Sequence, residues 1–269
     1  MADRILLVGC GRMGAALLAG WLERGVAASD VTVVEPHETG AVAGRYGVRA
    51  VADAGAVGDA FDPAVVVFAV KPQGMDEVAP AYAAYAGGDT VFLSIAAGRT
   101  IASFARHLGG QAAIVRAMPN TPAAVGRGIT VCCANGRTGA AQRDRCHALL
   151  EAVGEVDWVE DEALMDAVTA VSGSGPAYAF LLIECLARAG EAAGLDAGLA
   201  ARLARATVSG SGELARQAAE DAATLRRNVT SPGGTTAAAL EVLMAADGLQ
   251  PLMTRAVAAA TARSKALAG

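Results

Sequence analysis

The chain has 269 residues, of which 54% are hydrophobic and only 4% aromatic, and its formal net charge is -5. Its length is typical of one large or two medium domains, and we expect two. An acidic chain without a concentrated run of Lys and Arg has no basic patch that would bind nucleic acid or an anionic membrane, so we expect a small-molecule ligand.

The amino terminus indicates the cellular compartment, and the cysteines indicate whether a metal site is expected. A short apolar run breaks at once into glycines and lacks the features of a signal peptide, which favours a cytoplasmic protein. Residues 167–183 carry no charge but contain Pro176 and several Gly and Ser residues, and they fall short of a membrane span. The five cysteines are scattered without CxxC spacing, which is typical of reduced thiols and predicts no metal site.

The first predicted elements are a strand over residues 4–8, the turn GCGRMG and a helix. Gly9 permits the tight turn, Gly11 lets the backbone approach a pyrophosphate, and Gly14 allows the helix to pack closely on the strand. The helix amino end would then face the phosphates. The pattern predicts a dinucleotide-binding unit, and the alternative is a merely structural turn.

A second predicted strand ends at Glu35. An acidic residue at this distance from the glycines would accept hydrogen bonds from the ribose hydroxyls of adenosine and repel a 2′-phosphate. The alternative is a solvated carboxylate that turns away from the pocket. Arg12 and Arg45 are the arginines that could reach a 2′-phosphate. The choice between NADPH and NADH is therefore open.

Further apolar strands are predicted over residues 64–70, 90–96, 112–118 and 128–134, with a helix over residues 139–153. Their alternation with helical or turn segments predicts a parallel, doubly wound sheet, in which ligands bind at the carboxyl ends of the strands.

Two polar segments follow predicted strands. Lys71 is the first, and taken alone it is a solvated strand-end lysine. In the second, PNTP, two prolines fix the backbone around Asn120 and Thr121, which indicates a wall of the ligand pocket.

From Asp161 onward the strand signals vanish. Helices are predicted over residues 162–171, 176–193, 196–219, 235–246 and 249–267. Several are apolar over more than one face, which predicts a partner subunit, although alanine needs no burial and also explains the pattern.

Two glycine-rich loops, SGSGPAY (172–178) and TSPGGTT (230–236), each precede a predicted helix. Backbone N–H groups at a helix amino end, with hydroxyls nearby, suit a small carboxylate. The alternative is capping of the helix by Ser174 or Thr235, and either loop taken alone favours capping.

Five motifs, GCGRMG, AVKP, MPNTP, DAVTAVSGSGPAY and NVTSPGGTT, occur in this order. In order and separation they resemble pyrroline-5-carboxylate reductase, over about residues 5–265. The resemblance implies an α/β fold with a Rossmann NAD(P)-binding domain, residues 1–160, and an all-helical dimerisation and substrate-binding domain, residues 161–269. It implies a homodimer as the minimal unit and the last reaction of proline biosynthesis, reduction of L-1-pyrroline-5-carboxylate to L-proline by NADPH or NADH.

The resemblance also implies site residues. The positions expected at the cofactor are Gly9, Gly11, Arg12, Met13, Gly14, Glu35, Lys71, Asn120 and Thr121. The positions expected at the substrate are Ser174, Asn228, Ser231, Gly233, Gly234, Thr235 and Thr236. Thr236 is the candidate for the hydroxyl that hydrogen-bonds the imine nitrogen, and Lys71 is the second catalytic candidate. Many members of the family prefer NADPH and have a small or hydroxyl residue at the position of Glu35, so Glu35 predicts dual use or a preference for NADH.

Two alternative functions remain. A β-hydroxyacid dehydrogenase shares the two-domain plan but requires a catalytic lysine that DAVTAVSGSG lacks. A nucleotide-sensing protein would bind NAD(P)H without turnover, but it has no need for a second glycine-rich ligand loop.

Overall fold

The structure, a computed structural model, describes residues 3–58 and 60–268, with side chains to residue 267. It divides into two compact units, of which one runs to Gly173 and includes the residues from Thr261 onward, and the other is Ser174–Ala260. The predicted domain boundary between residues 160 and 161 stays a prediction, because compactness alone does not define which residues bind cofactor or substrate.

The first unit contains an eight-stranded sheet. In chain order its strands are β1 (Ile5–Val8), β2 (Val31–Val34), β3 (Arg49–Val51), β4 (Val65–Phe68), β5 (Val91–Ser94), β6 (Ala113–Met118), β7 (Gly128–Ala134) and β8 (Gly154–Trp158). Across the sheet the order is β3-β2-β1-β4-β5-β6-β7-β8. The winding therefore reverses between β1 and β4, and this is the position where doubly wound sheets bind their ligands.

Helices lie between the strands of this unit and after its last strand. They are α1 (Arg12–Glu23), α2 (Thr39–Tyr46), α3 (Met75–Val78), α4 (Ile101–Leu108), α5 (Ala140–Glu151) and α6 (Met165–Val168). Short 3-10 helices cover Ala28–Asp30, Ala54–Val57, Pro72–Gly74, Ala79–Tyr85, Thr121–Val125 and Glu162–Leu164, and a π-helical turn covers Thr169–Gly173.

Both faces of the central strands are buried, which explains their continuous apolar runs. On β1, Ile5 and Leu7 pack into a cluster with Trp21 of α1. Leu6 and Val8 point to the opposite face and join a second cluster. No β1 side chain is more than 2% exposed. Because full burial of one such side chain is worth about 1.5–3 kcal/mol, these two cores hold the strand that carries the glycine turn.

The sheet differs from the prediction at one strand pair. β7 runs antiparallel to β6, with Met118 opposite Val131. The prediction of a wholly parallel sheet is therefore wrong at this pair. Residues 119–127 between the two strands contain only a short 3-10 helix, whereas a parallel connection needs a crossover of a dozen or more residues.

Two strands were not predicted, because neither has a long apolar run. β3 has three residues and pairs with the edge of β2, and β8 reads GEVDW, with exposed acidic residues between half-buried positions. The predicted fold class, a Rossmann α/β domain followed by a helical part, is nevertheless confirmed.

The second unit is helical. Its helices are α7 (Gly175–Ala192), α8 (Ala197–Gln217), α9 (Ala222–Asn228), α10 (Thr235–Leu243) and the first part of α11 (Leu249–Ala268). α9 was not predicted. A signal for it existed in Asp221, whose carboxylate accepts a hydrogen bond from the Thr224 N–H at 2.7 Å, as an N-cap residue does.

The second unit buries few side chains by itself. Ala200 and Ala204 are the buried hydrophobic residues among those that the structure describes in this unit. On α7, Phe180, Leu181 and Leu182 are 59%, 55% and 52% exposed. Monomeric soluble proteins rarely expose large contiguous apolar patches, so this surface supports the expectation of a partner.

Among the residues that the structure describes, one helical stretch, Glu162–Ala192, is long and apolar enough to cross a membrane, and 6% of its apolar 18-residue window is buried. It contains residues 167–183, which were predicted to fall short of a membrane span. Length and composition do not separate a membrane span from a helix that packs on a protein partner. The stretch also contains the π-helical turn with its serine and glycine residues.

Candidate functional site

The turn between β1 and α1 requires glycine at two positions. Gly9 has φ of 89°, and a Cβ there would lie 2.8 Å from Cγ1 of Val70 and 3.0 Å from the Ala69 carbonyl oxygen. A Cβ on Gly14 would lie 2.5 Å from the Gly9 carbonyl oxygen. At Gly11, by contrast, a Cβ would meet no described atom within 4 Å. The first and third glycines therefore close the turn, and the second leaves open space above it.

The amino end of α1 is free to bind an anion. Gly11 is its N-cap residue, no side chain caps the helix, and no acidic residue lies in its first turn. The N–H groups of Arg12, Met13 and Gly14 have no partner within the helix, because they precede the first residue that can bond four positions back. Together with the open space at Gly11, these donors fit the pyrophosphate of a dinucleotide.

Glu35 points toward this turn. Its Oε2 accepts a hydrogen bond from the Cys10 N–H at 2.9 Å, and its Oε1 accepts one from the His37 N–H at 3.3 Å. The alternative in which the carboxylate turns away is therefore contradicted. Burial, and secondly the Glu35 charge, raise the pKa of Cys10 to about 11, and the Arg45 guanidinium offsets part of this rise.

The remaining predicted cofactor residues follow β4 and β6. Lys71 is exposed and precedes the 3-10 helix Pro72–Gly74. Thr121 is exposed and begins the 3-10 helix Thr121–Val125, directly after half-buried Asn120. Because β1, β4 and β6 run in the same direction across the sheet, these residues share its carboxyl edge with the glycine turn.

The Asn120 side chain is bonded to main chain at both ends. Its Oδ1 accepts a hydrogen bond from the Ile129 N–H at 3.0 Å, and its Nδ2 donates one to the Ser172 carbonyl oxygen at 3.3 Å. Asn120 was expected at the pocket wall, but its two partners were not predicted, since nothing in the sequence indicates that residues 120 and 172 meet.

In the second unit, residues 231–234 form a tight turn before α10. The Gly234 N–H donates to the Ser231 carbonyl oxygen at 3.0 Å, Pro232 occupies the second position, and Gly233 has φ of 68°. These are features of a type II turn. Gly234 is the N-cap residue of α10, and no side chain caps the helix. The capping interpretation for Thr235 is therefore contradicted.

The other predicted substrate residues also lie in this unit. Ser174 is the N-cap residue of α7, but its side chain makes no capping hydrogen bond, so capping is contradicted here too. Asn228 is exposed at the end of α9. At the start of α10, Thr235 is exposed and Thr236 is half-buried. All the predicted cofactor residues belong to the first unit and all the predicted substrate residues to the second.

The chain resembles known proteins along its whole length. A family model described as pyrroline-5-carboxylate reductase dimerisation matches residues 162–267, and one described as NADP oxidoreductase coenzyme F420-dependent matches residues 4–98. A pyrroline-5-carboxylate reductase from Pseudomonas aeruginosa is 42% identical over 268 residues, which cover 98% of this chain and 97% of the relative.

Solved structures agree with these matches. A pyrroline-5-carboxylate reductase from Coxiella burnetii has a TM-score of 0.94 and 33% identity over 100% of both chains. A pyrroline carboxylate reductase from Plasmodium falciparum with NADP bound has a TM-score of 0.82 and 28% identity, and covers 99% of this chain and 98% of that chain.

Proposed function

The chain belongs to the pyrroline-5-carboxylate reductase family, and from this premise we propose how its residues divide the work of the reaction. The protein reduces L-1-pyrroline-5-carboxylate to L-proline with NADPH or NADH as the reductant. The assignment of residues depends on one observation, that α1 and α10 both begin after glycine and have no side-chain cap. Each helix therefore offers unpaired N–H donors and the positive end of its dipole to an anion.

The cofactor is assigned to the first unit. The N–H groups at the start of α1 bind the pyrophosphate, and the exposed Arg12 adds positive charge there. Glu35 accepts hydrogen bonds from the adenosine ribose. Lys71 and Thr121 lie toward the nicotinamide end, where the exposed Lys71 ammonium attracts the anionic substrate and cofactor.

The substrate is assigned to the turn before α10. The first-turn N–H groups of α10 and the Ser231 hydroxyl bind the carboxylate, and the half-buried Thr236 hydroxyl hydrogen-bonds the ring nitrogen. When bound, the reduced nicotinamide supplies a hydride, which adds to the imine carbon while the C=N electron pair moves to nitrogen. The protonated imine already carries the proton that the product amine keeps, so Thr236 is needed to orient the nitrogen rather than to act as a strong acid.

The partner is assigned as a second copy of this chain. The match to a dimerisation model over residues 162–267 and the exposed apolar side chains of α7 support a homodimer as the minimal unit. The homodimer also explains why an apolar stretch long enough for a membrane span occurs here, because its side chains would be buried by the second subunit.

Replacement of Leu182 by Asp is expected to reduce the molecular mass of the assembly in solution. Native protein should have at least twice the chain mass of 26.9 kDa, whereas the variant should dissociate or lose stability, since a carboxylate cannot be buried unpaired in an apolar interface. The same change at Val125, which is 74% exposed in the first unit, is the matched control and should leave the mass unchanged. Sedimentation would distinguish these cases, and a native mass of one chain would contradict the homodimer.

Alanine substitutions at Gly14, where space is closed, and at Gly11, where it is open, are expected to separate protein stability from NADPH binding. Gly14→Ala would force its methyl group against the Gly9 carbonyl oxygen and should lower the free energy of unfolding by about 1–3 kcal/mol. The methyl group of Gly11→Ala meets open space, so the free energy of unfolding should stay within about 0.5 kcal/mol of the native value. The same methyl group would occupy the space assigned to the pyrophosphate, so NADPH binding should weaken about tenfold or more. Fluorescence titration with NADPH and thermal unfolding would measure both effects. Unchanged NADPH affinity in Gly11→Ala would contradict the assignment of the pyrophosphate.

The function is tested by NADPH and NADH oxidation with and without L-1-pyrroline-5-carboxylate. Oxidation that depends on this substrate and yields proline is the expected result. Cofactor binding without oxidation, and without a rise of Tm on addition of proline, would favour the nucleotide-sensing alternative. Reduction of NADP+ by β-hydroxy acids would favour the dehydrogenase alternative.

A further inference from the structure

The π-helical turn Thr169–Gly173 is held by side chains of its own sequence. The Thr169 hydroxyl donates to the Met165 carbonyl oxygen at 2.8 Å, and the Ser172 hydroxyl donates to the Val168 carbonyl oxygen at 3.0 Å. Such turns are rare in proteins and occur frequently at functional sites. This one lies directly before Ser174, the first predicted substrate residue.

The same turn packs closely on the end of β6. A Cβ added to Gly173 would overlap the side chain of Met118, the last residue of β6. The main chain of the turn therefore passes directly beside the end of the Met118 side chain. Pro119 and Asn120 follow Met118 directly, so the π-helical turn and the segment after β6 are neighbours in the first unit.

Asn120 connects these two segments. Its Nδ2 donates to the Ser172 carbonyl oxygen at 3.3 Å, while its Oδ1 accepts from the Ile129 N–H at the start of β7. A π-helical turn shifts the backbone hydrogen-bond pattern, and the Ser172 carbonyl oxygen receives a side-chain donor here. The amide group of Asn120 is thus used to hold main chain on both sides.

We propose that Asn120 is a positioning residue, which holds the segment after β6 and the π-helical turn in a single arrangement. This inference rests on the proposed function, because that segment carries Thr121 at the edge assigned to the nicotinamide. Hydride transfer depends on the placement of the reacting atoms, and a displacement of about 1 Å can cost about 100-fold in rate. Asn120 therefore acts on the reaction through the main chain and not by contact with the ligand.

Asn120→Asp tests the contribution of the Nδ2 donor alone. The carboxylate keeps an oxygen acceptor for the Ile129 N–H but replaces the Nδ2 donor with an oxygen that faces the Ser172 carbonyl oxygen. The matched control is Asn135→Asp at the other end of the same strand pair. The Asn135 Oδ1 accepts from the Ile114 N–H at 3.1 Å and its Nδ2 donates to the Ala112 carbonyl oxygen at 2.9 Å. The two variants make the same chemical change at opposite edges of the sheet.

We expect Asn120→Asp to lower kcat about tenfold or more and to leave the NADPH dissociation constant within about twofold. The primary deuterium isotope effect on kcat, measured with cofactor deuterated at the transferred position, should rise because hydride transfer becomes more rate-limiting. Hydrogen exchange of a peptide that covers residues 169–173 should become faster. Asn135→Asp should keep the native kcat, isotope effect and exchange of that peptide, even if its Tm falls equally.

Equal losses of kcat in Asn120→Asp and Asn135→Asp, or an unchanged isotope effect in Asn120→Asp, would overturn the positioning role. Inactive native protein would instead contradict the proposed function.

Discussion

Thr236→Ala is expected to lower kcat about 100-fold or more, with a much smaller change in the dissociation constant of NADPH. Thr236 is half-buried at the second position of α10, and the helix has no side-chain cap, so its hydroxyl is not needed to satisfy the helix end. Alanine is also a better helix former than threonine, so the variant should fold at least as well as native protein. A loss of turnover would therefore report on the missing hydroxyl group rather than on unfolding.

Two variants control the Thr236 experiment. Thr236→Ser keeps a hydroxyl group and should recover most of the turnover. Thr235→Ala removes a hydroxyl group from the exposed first position of the same helix and should change mainly KM for the substrate. Steady-state rates with saturating cofactor measure all three. A native rate in Thr236→Ala would contradict the assignment of Thr236 to the ring nitrogen.

Glu35→Ser is expected to shift the cofactor preference about 100-fold toward NADPH, measured as the ratio of kcat/KM for NADH and NADPH, which corresponds to about 2.7 kcal/mol. The Glu35 carboxylate is held at the glycine turn by the N–H groups of Cys10 and His37. It therefore cannot swing away from a 2′-phosphate without losing both hydrogen bonds. The Arg45 charge, which partly offsets the rise of the Cys10 pKa, would then act on the phosphate without the opposing Glu35 carboxylate.

Glu38→Ser is the matched control for Glu35. Glu38 is exposed at the start of α2, and its side chain makes no capping hydrogen bond there. This variant removes the same charge a few residues away, where its effect on Cys10 is smaller than that of Glu35, so the cofactor ratio should change much less than in Glu35→Ser. Native protein with an NADH efficiency below about a hundredth of its NADPH efficiency would contradict the role given to Glu35.

Predictions from the sequence succeeded where one short segment carries the whole signal. The four-residue runs of β1, β2, β4 and β5 are wholly buried, and their apolar runs were sufficient to locate them. The glycine turn was equally predictable, because the conformation at Gly9 and the close approach at Gly14 exclude other residues locally. The order of five motifs identified the family without any knowledge of the structure.

Predictions from the sequence failed, or left alternatives, where the answer depends on residues distant along the chain. The direction of β7 depends on how residues 119–127 fold back, and the direction of Glu35 depends on a hydrogen bond to Cys10. The capping alternative for Thr235 failed for a local reason, because the helix begins one residue earlier than that alternative requires and Gly234 is its N-cap residue.

By itself, the sequence determined the Rossmann fold class and the glycine turn, since local backbone sterics and burial patterns act over a few residues, and the resemblance of its five motifs identified the family. Only the tertiary structure decided that Glu35 faces the glycine turn, that α10 presents uncapped N–H groups, and that Asn120 joins β7 to the π-helical turn. The physical reason is that hydrogen bonds require partners at about 3 Å, and only the folded chain brings partners such as Asn120 and Ser172 to that distance.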